Sequence, residues 1–229
     1  MNFIKSDRLS GLLIAIGMIA GIFSIAPAVD SPAYLTEAAK HSGQVIAASI
    51  FQLLMSFCYL GVAILLYPLL TRHHRTLAIG FLNFRLVSVC LSLIGTLLLL
   101  SIIALSETVV QGGAEDAAQM GHLGYVLKST RDYVNHVLMV TMLCIGNILM
   151  YSLMAKFKLL PGWLLVWGIV ASILSIFASI LILFKVTDVI TTEYVALNVP
   201  TMIFEFVFGI WLLGKGLKDP ISAHLSTAS

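Results

Sequence analysis

The chain has 229 residues, of which 59% are hydrophobic and only 10% charged. Soluble domains carry about 25% charged residues, so this chain lacks the polar surface that water requires and reads as an integral membrane protein. The formal net charge of +2 carries no nucleic-acid signature, because the basic residues sit at the ends of apolar runs and form no patch.

Six apolar runs follow in order: residues 9–28, 44–70, 77–106, 132–154, 163–184 and 194–214. Each holds about 20 apolar residues, enough to cross a bilayer as a helix. Helices are the open-chain way to satisfy backbone groups in lipid. The expected architecture is therefore all-α: one domain, residues 1–229, forming a bundle of six transmembrane helices with short loops. The first run ends in Ala26-Pro27-Ala28, which mimics a signal-peptide cleavage site. Its apolar stretch is longer than the usual 7–15 or so residues of such signals. It also spaces Gly17 from Gly21 and Ala20 from Ser24 as packed membrane helices do, so it reads as a retained helix. The fifth run has a similar small-residue face, at Gly168, Ser172, Ser175 and Ser179.

Lys5 and Arg8, Arg72 and Arg75, Lys156 and Lys158, and Lys215 and Lys218 all fall on one side of a six-span arrangement. The opposite loops carry Asp30, Glu37, Glu107, Glu115, Asp116, Asp188 and Glu193. The positive-inside rule then places both termini in the cytoplasm, as in a multi-pass protein of the inner (plasma) membrane. The loop 107–131 is the longest. Gly112-Gly113 interrupts it, and residues 114–127 have helical composition, which predicts a short interfacial helix.

Cys58, Cys90 and Cys144 lie inside apolar runs and read as small buried hydrophobes. Gly11, Gly17 and Ser24 of the first span recur as Gly162, Gly168 and Ser175 of the fifth, and Gln52 of the second aligns with Glu205 of the sixth. A parallel repeat and chance similarity of apolar segments both account for this pattern.

The chemically informative residues are the polar ones inside the spans. A charge at mid-membrane costs about 2.5–3.5 kcal/mol on insertion scales. Arg85 in the third span and Glu205 in the sixth fall at nearly the same depth, counted at about 1.5 Å per residue. An ion pair between them is the simplest arrangement that keeps both charges. It would either fix helix register or line a cavity. In the fourth span Asp132, His136, Leu143, Asn147 and Tyr151 recur at helical spacing and share a face. Asp132 and His136, at i and i+4, are the candidate acid/base pair, and Asn147 should reach the depth of Arg85. The ligand-binding candidates are thus Arg85, Glu205, His136, Asn147, Tyr151 and Gln52. No cofactor or metal is implied. A di-histidine haem, a three-ligand zinc site and a retinal lysine all lack their residues, and no phosphate loop or nucleophile elbow is present.

Several segments carry a resemblance. They are 17–27 (GMIAGIFSIAP), 59–68 (YLGVAILLYP, with Gln52 ahead of it), 78–85 (AIGFLNFR), 131–136 (RDYVNH), 160–168 (LPGWLLVWG) and 197–205 (LNVPTMIFE). Together they resemble the bacterial membrane protein family known as domain of unknown function 4386. The resemblance implies a bacterial multi-span protein and brings no activity with it.

Three functional expectations follow. The leading one is binding or translocation of a small solute or ion in a polar cavity around Arg85, Glu205, Asn147 and His136. There Arg85 holds an anionic group or the Glu205 carboxylate, and Glu205 serves as counter-ion or proton-coupling group. The second is a membrane-embedded enzyme acting on lipid near the outer leaflet through Asp132 and His136. The third is a scaffold or regulator of another membrane protein. The lipid bilayer is the partner in every case, no nucleic acid is involved, and a homo-oligomer is allowed. The topology is directly testable. A reporter that works only in the cytoplasm should be active when fused after Ser229 and silent when inserted in residues 111–121, and the reverse pattern would overturn it.

Overall fold

The computed structural model of the protein describes residues 3–112 and 114–218. The described elements, all helical, are α1 (Phe3–Phe23), α2 (Pro27–Asp30), α3 (Tyr34–Lys40), α4 (Ser42–His73), α5 (Arg75–Gly112), α6 (Ala114–Asp132), a π-helical turn (Tyr133–Met139), α7 (Val140–Lys156), α8 (Gly162–Leu183) and α9 (Thr192–Gly214). Among the described residues, six helical stretches are long and apolar enough to cross a membrane: Ser6–Phe23, Ser42–His73, Arg75–Gly112, Met120–Lys156, Gly162–Leu183 and Thr192–Gly214. The protein is an all-α, multi-pass membrane protein.

The spans form a closed ring in chain order. α4 packs between α1 and α5, α5 meets α7, α7 meets α8, α8 meets α9, and α9 returns to α1. Small residues set these approaches, since packing and not water exclusion drives helix association in lipid. A methyl added at Gly11 would lie 2.7 Å from the Gly209 carbonyl oxygen on α9. Gly17 faces Cys58 and Gly21 faces Met55, both on α4. On α8, Ser172, Ser175 and Ser179 are buried. The ring is also tied at its basic end, where the Leu217 backbone N–H donates to Asp7 Oδ2 at 3.0 Å and the Lys218 N–H donates to the Leu159 carbonyl. The two ends of the described chain therefore lie on the same side.

Large apolar side chains such as Ile19, Leu97, Val166 and Phe206 point outward, as lipid contact requires. Cys90 joins them on the outer face of α5, beside Ile94 and Leu97; only Cys58 and Cys144 of the three cysteines are buried. Inside, two apolar clusters fill the ends of the ring. One, near the basic end, includes Leu66, Phe81, Met154, Leu164 and Phe208. The other, near the acidic end, includes Val29, Val45, Leu99 and Ile102. A buried polar stratum separates them.

Three boundaries differ from the sequence expectation. The first span stops at Phe23 and not at residue 28, because Pro27 has no N–H to continue it and instead opens the short α2. The third span runs on to Gly112, well beyond residue 106, because its extension is packed. Ser106 Oγ accepts from the Ala39 N–H at 2.8 Å and donates to the Leu35 carbonyl at 2.8 Å, which seats α3 on α5. The predicted interfacial segment is helical, but as α6 it is continuous with span four through the π turn. The supposed loop is thus a tight hairpin of two long helices. Gly113, the second glycine of the predicted break, lies outside the described residues.

The acidic end is latched by α6. Arg131, 4% exposed, donates from Nη1 to Asp30 at 2.5 Å and to Asp132 at 3.0 Å. Lys128 Nζ reaches the carbonyls of Asp30 (3.3 Å) and Ser31 (3.4 Å) and lies over the Tyr34 ring. Breaking a buried ion pair from one side strands the other charge and costs about 3–5 kcal/mol. Arg131→Ala should destabilise the protein in that range in detergent unfolding, and adding Asp30→Ala should cost less than the sum of the two single changes. Strict additivity would show that the latch is not a coupled pair.

Candidate functional site

The polar stratum is built from four helices of the ring. Gly146 lets α7 press against α5, since a methyl there would sit 3.2 Å from Phe84 Cβ and 3.5 Å from the Phe81 carbonyl oxygen. That approach carries the next residue, Asn147, to Arg85. The Asn147 Oδ1 accepts from Arg85 Nη2 at 2.7 Å. Arg85 is 3% exposed, and its guanidinium lies 5.4 Å from the Tyr59 ring centre and 5.7 Å from that of Phe81. These aromatic faces are favourable neighbours for a desolvated cation. Nε and Nη1 of Arg85 have no hydrogen-bond partner.

Glu205 on α9 shares this space with Arg85, but the two are not hydrogen-bonded to each other. The carboxylate accepts a short hydrogen bond from the Tyr59 hydroxyl, and Tyr59 stands between the charges. No hydrogen bond joins the two charges directly; what links them is a chain of guanidinium, tyrosine ring and hydroxyl, and carboxylate. Depth in the sequence placed both charges in one layer, but it carried no information on which side chain would fill the gap between α5 and α9. Tyr151 is buried, edge-on to Phe204 at 5.1 Å and to Phe208 at 6.0 Å. It closes the site toward the basic end.

A cavity of about 180 Å³ adjoins these groups. Its polar lining includes Tyr59, Arg85, Glu205, Asn198 and Thr201, and its apolar lining includes Met55, Met139, Leu143 and Met202. Thr201 is held by α8, hydrogen-bonded to Ser175 at 2.7 Å and donating to the Ala171 carbonyl at 3.0 Å.

One step toward the acidic end lies a second, self-satisfied polar group. Gln52 Nε2 donates to the Ser92 carbonyl at 3.1 Å and to Asn135 Oδ1 at 3.2 Å, and Ser56 donates to Ser92 Oγ at 2.6 Å. The Asn135 amide occupies the space where a side chain on Gly95 would begin, so that position admits only glycine without rearrangement. Gln52 and Glu205, aligned in the sequence, thus belong to different hydrogen-bonded groups.

The RDYVNH segment, residues 131–136, is divided among three tasks. Arg131 serves the latch, Asn135 joins Gln52, and His136 turns to the last two spans. His136 Nδ1 is hydrogen-bonded to the Tyr194 hydroxyl at 3.0 Å, and its backbone carbonyl accepts from Ser179 Oγ at 2.7 Å. Asp132 instead pairs with Arg131 and lines a separate cleft of about 410 Å³ at the acidic end. The expected Asp132–His136 contact does not form. The intervening turn is π-helical, with i→i+5 bonding, so residues four apart no longer face each other as they do on an α-helix. The shared face expected of span four is split for the same reason. Leu143, Asn147 and Tyr151 look into the ring, and Asp132 does not. Among the described residues, no three His, Cys, Asp or Glu side chains converge as a metal ion would need.

Sequence reasoning passed over Tyr59. A signal was available, since it follows Gln52 by two helical turns and so lies on the same inward stripe of α4.

A closed ring of apolar helices around a buried arginine, a carboxylate and a small cavity defines a multi-pass membrane protein with an internal polar site. The chain belongs to the family described as Domain of unknown function (DUF4386), whose family model matches residues 9–216. No curated protein and no solved structure matches it.

The Tyr59–Glu205 contact predicts a specific coupling. In a double-mutant cycle of Tyr59→Phe and Glu205→Gln, unfolding in detergent should show an interaction energy of about 1–3 kcal/mol. The Arg85→Met and Glu205→Gln cycle should give a smaller value, because no hydrogen bond joins those side chains. The opposite order would show that the charges pair directly.

Proposed function

We propose that the protein binds a small solute in the cavity between α4, α5, α7, α8 and α9, the first step of either sensing that solute or moving it across the membrane. The observation that carries this reading is Arg85, a buried cation with Nε and Nη1 unfilled beside a cavity. Buried polar groups are ordinarily satisfied, and the penalty for leaving one open is large for a charged group. A solute that supplies an acceptor removes that penalty, so the site is built to gain from occupancy. Ligand sites share this pattern: apolar walls with a few converging polar groups. In the cell this site sits in an inner (plasma) membrane protein of bacterial type with both termini cytoplasmic, as the segregated basic pairs support. The lipid-enzyme reading lacks its acid/base contact, since Asp132 and His136 are engaged elsewhere.

Ligand-induced stabilisation tests the proposal. A ligand at a hundred times its Kd stabilises the folded state by about 2.7 kcal/mol. A panel of small carboxylates, amides, alcohols and inorganic anions should contain members that raise the melting temperature of the purified protein. Ser88→Leu, which fills the cavity wall, and Asn147→Ala, which frees Arg85 to swing, should both abolish the rise. A panel without effect on the wild-type protein, or an effect unchanged by Ser88→Leu, would refute binding in this cavity.

A further inference from the structure

The chemistry of the solute follows from size and charge balance at the site, and this step rests on the binding reading above. A volume of about 180 Å³ is roughly six waters at about 30 Å³ each. It falls below the range of about 300–1,000 Å³ that holds drug-sized ligands. The lining is of two kinds: Arg85, Glu205 and a few neutral polar groups, and an apolar set that includes Met55, Met139 and Leu143. The fitting solute is therefore short and carries both a polar group and an apolar part.

Arg85 donates and never accepts, and its charge is permanent. With one donor set spent on the neutral Asn147, its remaining N–H groups call for a strong acceptor. Charged acceptors make hydrogen bonds about twice as strong as neutral ones. An anion, however, enters a space that already holds one cation and one carboxylate. Two negative charges against one positive leave a net charge buried at membrane depth, which is expensive. A proton on Glu205 removes the excess. Tyr59 accommodates either state, because its hydroxyl can donate to a carboxylate or accept from a carboxylic acid. The titratable or charged groups facing Glu205 are Tyr59 from α4, Arg85 from α5, and Cys144 and Tyr151 from α7. From α1 and α8 the neighbours are Ile14 and Ser175, which do not titrate.

We propose that the cavity binds a small monoanion with an apolar end, of the short-chain carboxylate type, and that each anion is bound together with one proton, drawn from water, that resides on Glu205.

The sign is fixed: protonated Glu205 favours the anion, so affinity rises as pH falls. The test uses the full-length protein in detergent and butanesulfonate, which stays ionised across the range. Between about pH 8 and about pH 6 its affinity should rise by up to about tenfold per pH unit, the limit for one linked proton. Calorimetry in buffers of different ionisation enthalpy should count about one proton taken up per anion, a reading that needs no variant. Glu205→Gln should still bind and should change less than about twofold over the same range. Arg85→Lys should bind more weakly, by about tenfold or more, at every pH.

Binding of butanesulfonate with no pH dependence and no proton uptake would overturn the coupling and leave the cavity reading standing. Equal affinity for the neutral butyramide would overturn the anion class and again leave the cavity. Failure of every short probe, charged or neutral, together with failure of oleate, would remove both. Oleate binding without butyrate would uphold the carboxylate class and place its source in the lipid. Butyrate competing with butanesulfonate, with oleate inert, would place it in free solutes.

Discussion

The structure turns on how a guanidinium is kept at mid-membrane. Arg85 is nearly inaccessible, and an unaided charge there costs about 2.5–3.5 kcal/mol on insertion scales and more by other estimates. The fold answers with three devices from three directions. Asn147 accepts one hydrogen bond, the faces of Tyr59 and Phe81 flank the charge, and Glu205 supplies opposite charge through Tyr59. Each depends on a helix contact elsewhere. Gly146 sets the α5–α7 approach that delivers Asn147, and Gly11 sets the α1–α9 approach that closes the ring and fixes the helix bearing Glu205. The small residues are thus the reason the polar ones meet.

The π turn is the second constraint. A π segment widens the helix by one residue and is frequent at functional sites. Here it has a visible local consequence: Asn135 projects into the ring toward Gln52, while the adjacent His136 projects toward Tyr194. Ser179 takes the His136 carbonyl, a bond that ties α8 to the loosened turn. A regular α-helix through the same residues would rotate either Asn135 or Asp132 away from its partner. The turn therefore reconciles two demands on one helix, the latch at its outer end and the lumen below.

Sequence reasoning reached some of this and missed the rest for definable reasons. The six spans were legible because hydropathy reports membrane depth directly, the energetic cost of intramembrane charge singled out Arg85 and Glu205, and helical spacing added Asn147. The position of a side chain around the helix axis was legible only where the helix is regular. It held for Asn147 and Tyr151, which lie in α7, and failed for Asp132 and His136, which flank and occupy the π turn. Tyr59 was overlooked because a tyrosine in an apolar run is inexpensive and attracts no notice by cost. Its importance comes from what stands on either side of it in space. The outer hairpin was misread because Glu107 and the glycine pair look like a loop, while the bonds that keep α5 helical, from Ser106 to α3, connect residues far apart in the chain.

The two buried polar groups differ in a way that bears on access. The Gln52–Ser92–Asn135 group satisfies itself, and a saturated network of this kind stiffens a core. It lies on the acidic side of the cavity. On the basic side stand Tyr151, Phe204 and Phe208, packed edge-on and stacked. Neither direction along the ring axis is open. The remaining route runs past α9, which has the smallest buried share of the six spans. Met202, part of the cavity wall, is 55% exposed. Pro200, five residues before Glu205, cannot donate to the helix ladder, which loosens this stretch of α9. The cavity is thus closed along the membrane normal and weakest at its side, on the helix that carries the carboxylate. A solute with an apolar end meets the least resistance there, since that end can remain among the methionines and lipid-facing residues while the polar end reaches Arg85.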